Sequence, residues 1–245
     1  MDSATRLRVG VDAEGATRAV ELRCEVPQLL RVTEAVGRGF PTLQVHLVGG
    51  AAGPLGGDRW ALDLDLAAGS RVCLRSVAAS MAQPDPHGRS SEAAVRVRVG
   101  AGAVLDAWPE PIVSVRGSHH TLDVALEVER DGDVRWVDEV ILGRHGEVPG
   151  TVVLRQRLTE AGRVRVMSEV RLGGDPGAAS FGQHGPFRAV ITAVGRFDGP
   201  SGVVLGDGGA RAVRCALGEG WSTWTGVGDG RAPVRRLLAA LGLER

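Results

Sequence analysis

The sequence predicts an all-β fold, a layered stack of short strands with few helices and one C-terminal helix. Three observations carry that prediction: period-2 alternation of apolar and charged residues, its recurrence at a steady spacing, and a scarcity of helical periodicity. The clearest unit is Leu62-Asp63-Leu64-Asp65-Leu66, then Ala67-Ala68-Gly69-Ser70, then Arg71-Val72-Cys73-Leu74-Arg75. Alternation on both sides of a glycine turn buries one face of each strand and reads as a β-hairpin. Similar units begin near Val95 (turn Gly100-Ala101-Gly102), Leu122 (turn Asp131-Gly132-Asp133) and Val152 (turn Glu160-Ala161-Gly162), roughly 30 residues apart, a period typical of stacked repeats.

In chain order, the first hairpin pairs Leu7 to Val11 with Ala19 to Cys24, turning at Ala13-Glu14-Gly15-Ala16. Alternation resumes in Leu43-Gln44-Val45-His46-Leu47 and stops in the glycine-rich stretch from Gly49 to Asp58. After the Cys73 strand come Ser76 to Met81, small-residue-rich, and the turn Gln83-Pro84-Asp85-Pro86-His87-Gly88-Arg89. Trp108-Pro109-Glu110-Pro111 breaks the ladder again, because neither proline has an N–H to donate. A third break, Gly143-Arg144-His145-Gly146-Glu147, follows Trp136 to Leu142. Gly173 to Gly177 and Gly182 to Pro186 read as loops, and Arg188 to Val194 as either strand or helix. From Pro233 to Leu243, Val234, Leu237, Leu238 and Leu241 recur at helical spacing, with Pro233 suited to a first turn.

A chain of 245 residues can bury a large core, and an all-β body of this size forms one domain, here 1–245. With 29 basic and 29 acidic residues, no net field favours nucleic acid or an anionic membrane. All basic residues are Arg, and Lys and Tyr are absent, a bias that G+C-rich codons explain without chemistry. No export signal precedes Leu7, and no apolar run is long enough to span a membrane. Cys24, Cys73 and Cys215 are far apart in strand-like runs, as expected in a reducing cytoplasm rather than in a disulfide framework.

Catalytic signatures are missing. There is no Cys-x-x-Cys or His-x-x-x-His spacing for zinc, and His119 and His120 would face opposite sides of a strand. A nucleophile elbow and a phosphate loop are absent too. Carboxylates at the breaks remain: Asp58, Glu110, Asp138, Glu139 and Glu147. Two of them could flank a sugar site, with Trp60, Trp108 or Trp136 as platforms, although aromatic residues are only 4% of the chain.

The contents of the breaks resemble the UreD (also called UreH) family of urease accessory proteins. The matching residues are Gly56-Gly57-Asp58, the Ala67-Ala68-Gly69-Ser70 turn, Ser76-Val77-Ala78-Ala79-Ser80, Trp108-Pro109-Glu110-Pro111-Ile112 with Gly117, Gly143-Arg144 and Gly146-Glu147, in order and spacing. The resemblance covers about Leu7 to Leu243 and is strongest between Gly56 and Leu172. It implies a β-helix-like, solenoid scaffold of hairpins and a non-enzymatic role: binding apo-urease with the partners UreF and UreG so that nickel reaches the urease active site, with no tightly bound cofactor. The chain departs from the family at Met81-Ala82-Gln83-Pro84-Asp85-Pro86, where a basic-aromatic stretch is usual; Arg89 is the candidate replacement.

Imidazole and thiolate hold divalent nickel strongly, whereas carboxylate and water release it, so a transit path favours oxygen ligands. Asp58, Glu110, Glu139 and Glu147 are therefore the expected lining of a hydrated nickel passage. The stripe of Val234, Leu237, Leu238 and Leu241 behind Pro233 faces the core in the simplest reading; the alternative is docking on a helical partner such as UreF. A carbohydrate-active β-solenoid hydrolase and a structural or interaction protein without metal traffic remain the competing readings.

Overall fold

A computed structural model describes residues 1–33, 42–174, 187–196, 202, 204–207 and 209–244. The loops expected at 175–177 and 182–186 lie outside the described residues. Along the chain run β1 (Asp2–Val11), β2 (Thr17–Arg23), β3 (Gln28–Thr33), β4 (Leu43–Gly49), β5 (Arg59–Leu66), β6 (Arg71–Ser76), β7 (Ser80–Ala82), β8 (Ser91–Val99) and β9 (Val104–Trp108). There follow β10 (Ile112–Ser114), β11 (His119–Val128), β12 (Asp133–Leu142), β13 (Thr151–Glu160), β14 (Arg163–Gly173), β15 (Ala189–Arg196), β16 (Val204–Asp207), β17 (Ala210–Gly218), β18 (Trp221–Gly228) and helix α1 (Arg231–Ala240). The all-β prediction with one C-terminal helix is borne out, and the stacked strands are solenoid-like. Arg188 to Val194 falls mostly in a strand, β15.

One sheet has the order β14-β13-β11-β8-β5-β1-β2, and the second runs β16-β17-β18-β15-β12-β9-β6-β4-β3, with β10 bridging β12 and β7. Three of the expected hairpins are therefore not hairpins. β5 pairs in parallel with β1 and β8, whereas β6, across the 67–70 turn, pairs in parallel with β4 and β9 in the other sheet. The β8–β9 and β11–β12 units divide between the sheets in the same way. Alternation reports only that one face is buried; it is silent on whether a strand bonds edge to edge with the next strand or faces it across a core. The β1–β2 and β13–β14 hairpins do form, each antiparallel.

Stacking works because equivalent residues coincide. Leu64, Val97, Leu126 and Leu158 align across β5, β8, β11 and β13, each no more than 2% exposed. Burying each such side chain contributes about 1.5–3 kcal/mol. Outside, Asp63 meets Arg6 and Arg96 in exposed pairs that support register more than stability. The turns stack as tightly as the strands: Gly69 N donates to Ala101 O (3.0 Å), Val104 N to Ser70 O (2.8 Å) and Asp133 N to Ala103 O (2.8 Å). A Cβ on Gly100 would lie 2.8 Å from Ala68 N and 2.9 Å from Leu66 O, so the next coil leaves no room for a side chain.

Helix α1 covers a second core. Val234 and Leu238 are fully buried with Trp108, Val137, Ile191 and Trp224. Gly226 on β18 permits this approach, since a Cβ there would lie 2.5 Å from Val234 Cγ1. Strand β12 is thereby covered on both faces: Val134, Trp136 and Val140 join the first core, Val137 the second. Among the described residues, no helix is long and apolar enough to cross a membrane.

Candidate functional site

The topology sorts the connections. The three turns that carry the chain from one sheet to the other, at 67–70, 100–103 and 129–132, lie at one end of the stack, and the breaks after β6, β9 and β12, with the loop before β5, lie at the other. At this break end the sheets enclose a cavity of ≈ 90 Å³. That volume holds several waters, each needing roughly 10–15 Å³. Among its lining residues are Ser76, Glu110, His120, Asp138 and Glu139, against walls that include Trp60 and Trp136.

Strand β12 delivers Asp138 and Glu139, which as successive residues point to opposite faces. Asp138 Oδ1 accepts from Trp136 Nε1 (2.9 Å), and its Oδ2 accepts from Gln156 Nε2 (2.7 Å). Burial pushes the Asp138 carboxyl up to about 6, and the Gln156 and Trp136 hydrogen bonds hold back part of that rise. Gln156 occupies the interior row of Leu62, Val95 and Val124. That glutamine is the sequence signal for the polar pocket, and sequence reasoning passed over it.

Glu139 faces helix α1. Its Oε1 accepts from Trp108 Nε1 (2.6 Å) and Arg235 Nε (2.7 Å), and Arg231 Nε lies 3.3 Å from Oε2. Glu110 Oε2 accepts from Arg231 Nη2 (2.7 Å), and its backbone N–H is fixed by Ser76 Oγ (2.6 Å). Glu110 is thus among the residues that line the cavity, its side chain mostly buried.

His120 is interior, at 2% exposure, while its neighbour His119 is exposed. His120 Nδ1 and Ser91 Oγ are 2.9 Å apart, and Nε2 takes no hydrogen bond among the described residues. Burial draws its pKa down to about 4, leaving a neutral imidazole. His119 and His120 do face opposite sides of their strand, and only His119 reaches solvent.

The remaining predicted acids serve their own loops. Asp58 Oδ2 accepts from Leu55 N (2.9 Å), and Oδ1 takes the Met1 amino group (2.9 Å). Glu147 is clasped by Arg144, whose Nε and Nη2 reach its two oxygens at 3.0 and 2.9 Å, holding its carboxyl down at about 2. Neither Asp58 nor Glu147 is among the residues lining the cavity. Trp108 and Trp136 are buried and bonded to acids, so neither can serve as an exposed sugar platform. Pro233 and Leu237 are half-buried and Leu241 buried, and with Val234 and Leu238 the stripe covers this chain's own sheet. Docking that stripe on a partner would require the helix to leave its core. Arg89 pairs with Asp85 (2.8 Å) within its own turn. Among the described residues, no three or more His, Cys, Asp or Glu converge as a metal cluster.

The described residues thus form a solenoid-like scaffold of two stacked sheets with an acid-lined cavity at its irregular end. The chain belongs to the UreD urease accessory protein family, whose model matches residues 3–224. A urease accessory protein UreD from Parafrankia sp. (strain EAN1pec) is 43% identical over 144 residues, covering 59% of this chain and 48% of the relative. A UreD from Streptomyces avermitilis is 32% identical over 226 residues, covering 86% and 88%, and UreD 1 of Saccharopolyspora erythraea is 34% identical over 184, covering 74% and 72%. The chain spans about half the length of the Parafrankia and Frankia casuarinae relatives.

Proposed function

We propose that the protein is a non-enzymatic scaffold that binds apo-urease together with UreF and UreG in the cytoplasm and lets nickel pass toward the urease active site. The observation that carries this reading is the cavity in which Glu110 and Glu139 share one lining with Ser76, His120 and Asp138. Two carboxylates among hydroxyl groups and water can hold a hydrated dication and also release it, as transit requires. A thiolate cluster would trap the metal instead. Asp58 and Glu147, with their oxygens engaged in loop contacts, shape the break end in this reading and do not line the path. The partners come from the family's role in urease maturation, and the free cysteines Cys24, Cys73 and Cys215 suit a reducing compartment.

Glu110→Gln and Glu139→Gln test the reading. Each should lower nickel- and GTP-dependent activation of apo-urease, while the chain still co-purifies with UreF, UreG and apo-urease. Full activation by both variants would refute it.

A further inference from the structure

The two carboxylates that face the cavity are not open to it alone. From the opposite side, helix α1 presents Arg231 and Arg235, one turn apart, and both guanidinium groups reach Glu139, Arg231 reaching Glu110 as well. Arg231 spans the pair, with Nη2 2.7 Å from Glu110 Oε2 and Nε 3.3 Å from Glu139 Oε2, while Arg235 holds Glu139 Oε1. The Glu139 side chain is fully buried, yet its Oε2 takes no hydrogen bond among the described residues. Arg231 Nε pairs with that oxygen by charge and makes no hydrogen bond to it.

We infer that helix α1 is an electrostatic latch on this cavity: Arg231 stands where a divalent cation would bridge Glu110 and Glu139, so cation binding and helix docking exclude one another. This rests on the proposed nickel passage. Repulsion between like charges is the physical reason. A dication between Glu110 and Glu139 would lie beside the guanidinium groups that now pair with them, and like charges at that range repel strongly in a low-dielectric interior. Releasing both arginines as the dication arrives removes that repulsion. The helix also gains from the acids while docked, because its first turn holds no acidic residue of its own and Arg231 sits at the positive end of the helix dipole. Undocking would uncover Val234 and Leu238, so a partner that takes up this apolar stripe would favour the open, cation-accepting state.

The test is equilibrium Ni²⁺ binding to the full chain, with backbone hydrogen exchange at Arg231–Ala240 followed in the same samples. Arg231→Gln should bind Ni²⁺ at least about tenfold more tightly than wild type, a shift of about 1.4 kcal/mol. Arg231→Lys keeps the competing charge and should stay near wild type. Saturating Ni²⁺ should speed exchange across the wild-type helix. An Arg231→Gln variant that keeps helix protection but binds Ni²⁺ no more tightly would overturn the latch. So would a wild-type helix whose exchange ignores saturating Ni²⁺, and this second measurement decides the matter if the Gln variant loosens the helix by itself. Urease activation in the same preparations separates the two ideas. Activation that depends on Glu139 while affinity ignores Arg231 would remove the latch and keep the passage; activation indifferent to Glu110 and Glu139 would remove the passage, whatever the latch does.

Discussion

At the end where β5, β8 and β11 turn into β6, β9 and β12, each turn rests on the next, and backbone groups satisfy one another from coil to coil. At the opposite end the connections differ in length and composition, and backbone pairing between coils continues only in part, as where Ser80 N donates to Pro111 O (3.0 Å) and Gly150 N to Ser114 O (3.3 Å). Side chains add to the backbone pairing there: Ser76 holds Glu110, Trp136 and Gln156 hold Asp138, and Arg144 holds Glu147. Close stacking at the first end leaves no room for a side chain at Gly100. Near the irregular connections at the other end lie a cavity, buried acids and the arginines of helix α1 that pair with them.

The contrast can be broken at the tight end first. Gly100→Ala forces a Cβ against the backbone of Ala68 and Leu66, and should cost about 3 kcal/mol. Chemical denaturation measures it, and Ni²⁺ binding by the folded variant should be unchanged. A loss of nickel binding in that folded variant would mean the ends are not separate.

The break end should instead show itself in pH dependence. His120, held at about 4 against an ordinary 6.5, is neutral when folded, so the unfolded chain binds more protons between those values and stability rises with pH across that window. Asp138, held at about 6 against 3.8, has the opposite sign: the native state binds more protons, and stability falls as pH rises from 3.8 to 6. The two contributions oppose each other where they overlap. Asp138→Asn removes one and should uncover a rise of up to about 1.4 kcal/mol per pH unit through the His120 window, read by denaturation at several pH values. A profile parallel to wild type would show that Asp138 is less isolated from water than its burial implies.

The smallest effect belongs to the outer face of the repeat. Asp63→Ala removes partly exposed pairs with Arg6 and Arg96 and should change stability by less than about 1 kcal/mol, shrinking further in high salt. A larger, salt-insensitive loss would mean that the charge ladder carries structure and not only register.

Much of this was legible in the residues. Alternation along Leu62 to Leu66 marked a strand with one buried face, and the spacing of Val234, Leu237, Leu238 and Leu241 marked a helix with one apolar stripe. The breaks were legible as well, because glycine and proline interrupt the ladder for local reasons. Glu110 and Glu139 could be named as acids at those breaks, but nothing local distinguished them from Asp58 and Glu147. Side-chain partners made that distinction, and those partners lie far away: Arg231 is 121 residues from Glu110, and Arg235 is 96 from Glu139.

What the sequence by itself determined, then, is the all-β class, the period of the stack, the position of each break and the family. These follow from local sterics and from side-chain periodicity, which a chain carries wherever it is placed. Only the tertiary structure decided that β5 and β6 face each other across a core instead of pairing, that His120 and Asp138 are interior, and that the helix lays two arginines on the cavity acids. Hydrogen bonding between strands, burial and charge pairing depend on which distant segments meet, and the alternation of residues along one strand is the same whether its partner lies beside it or across the core.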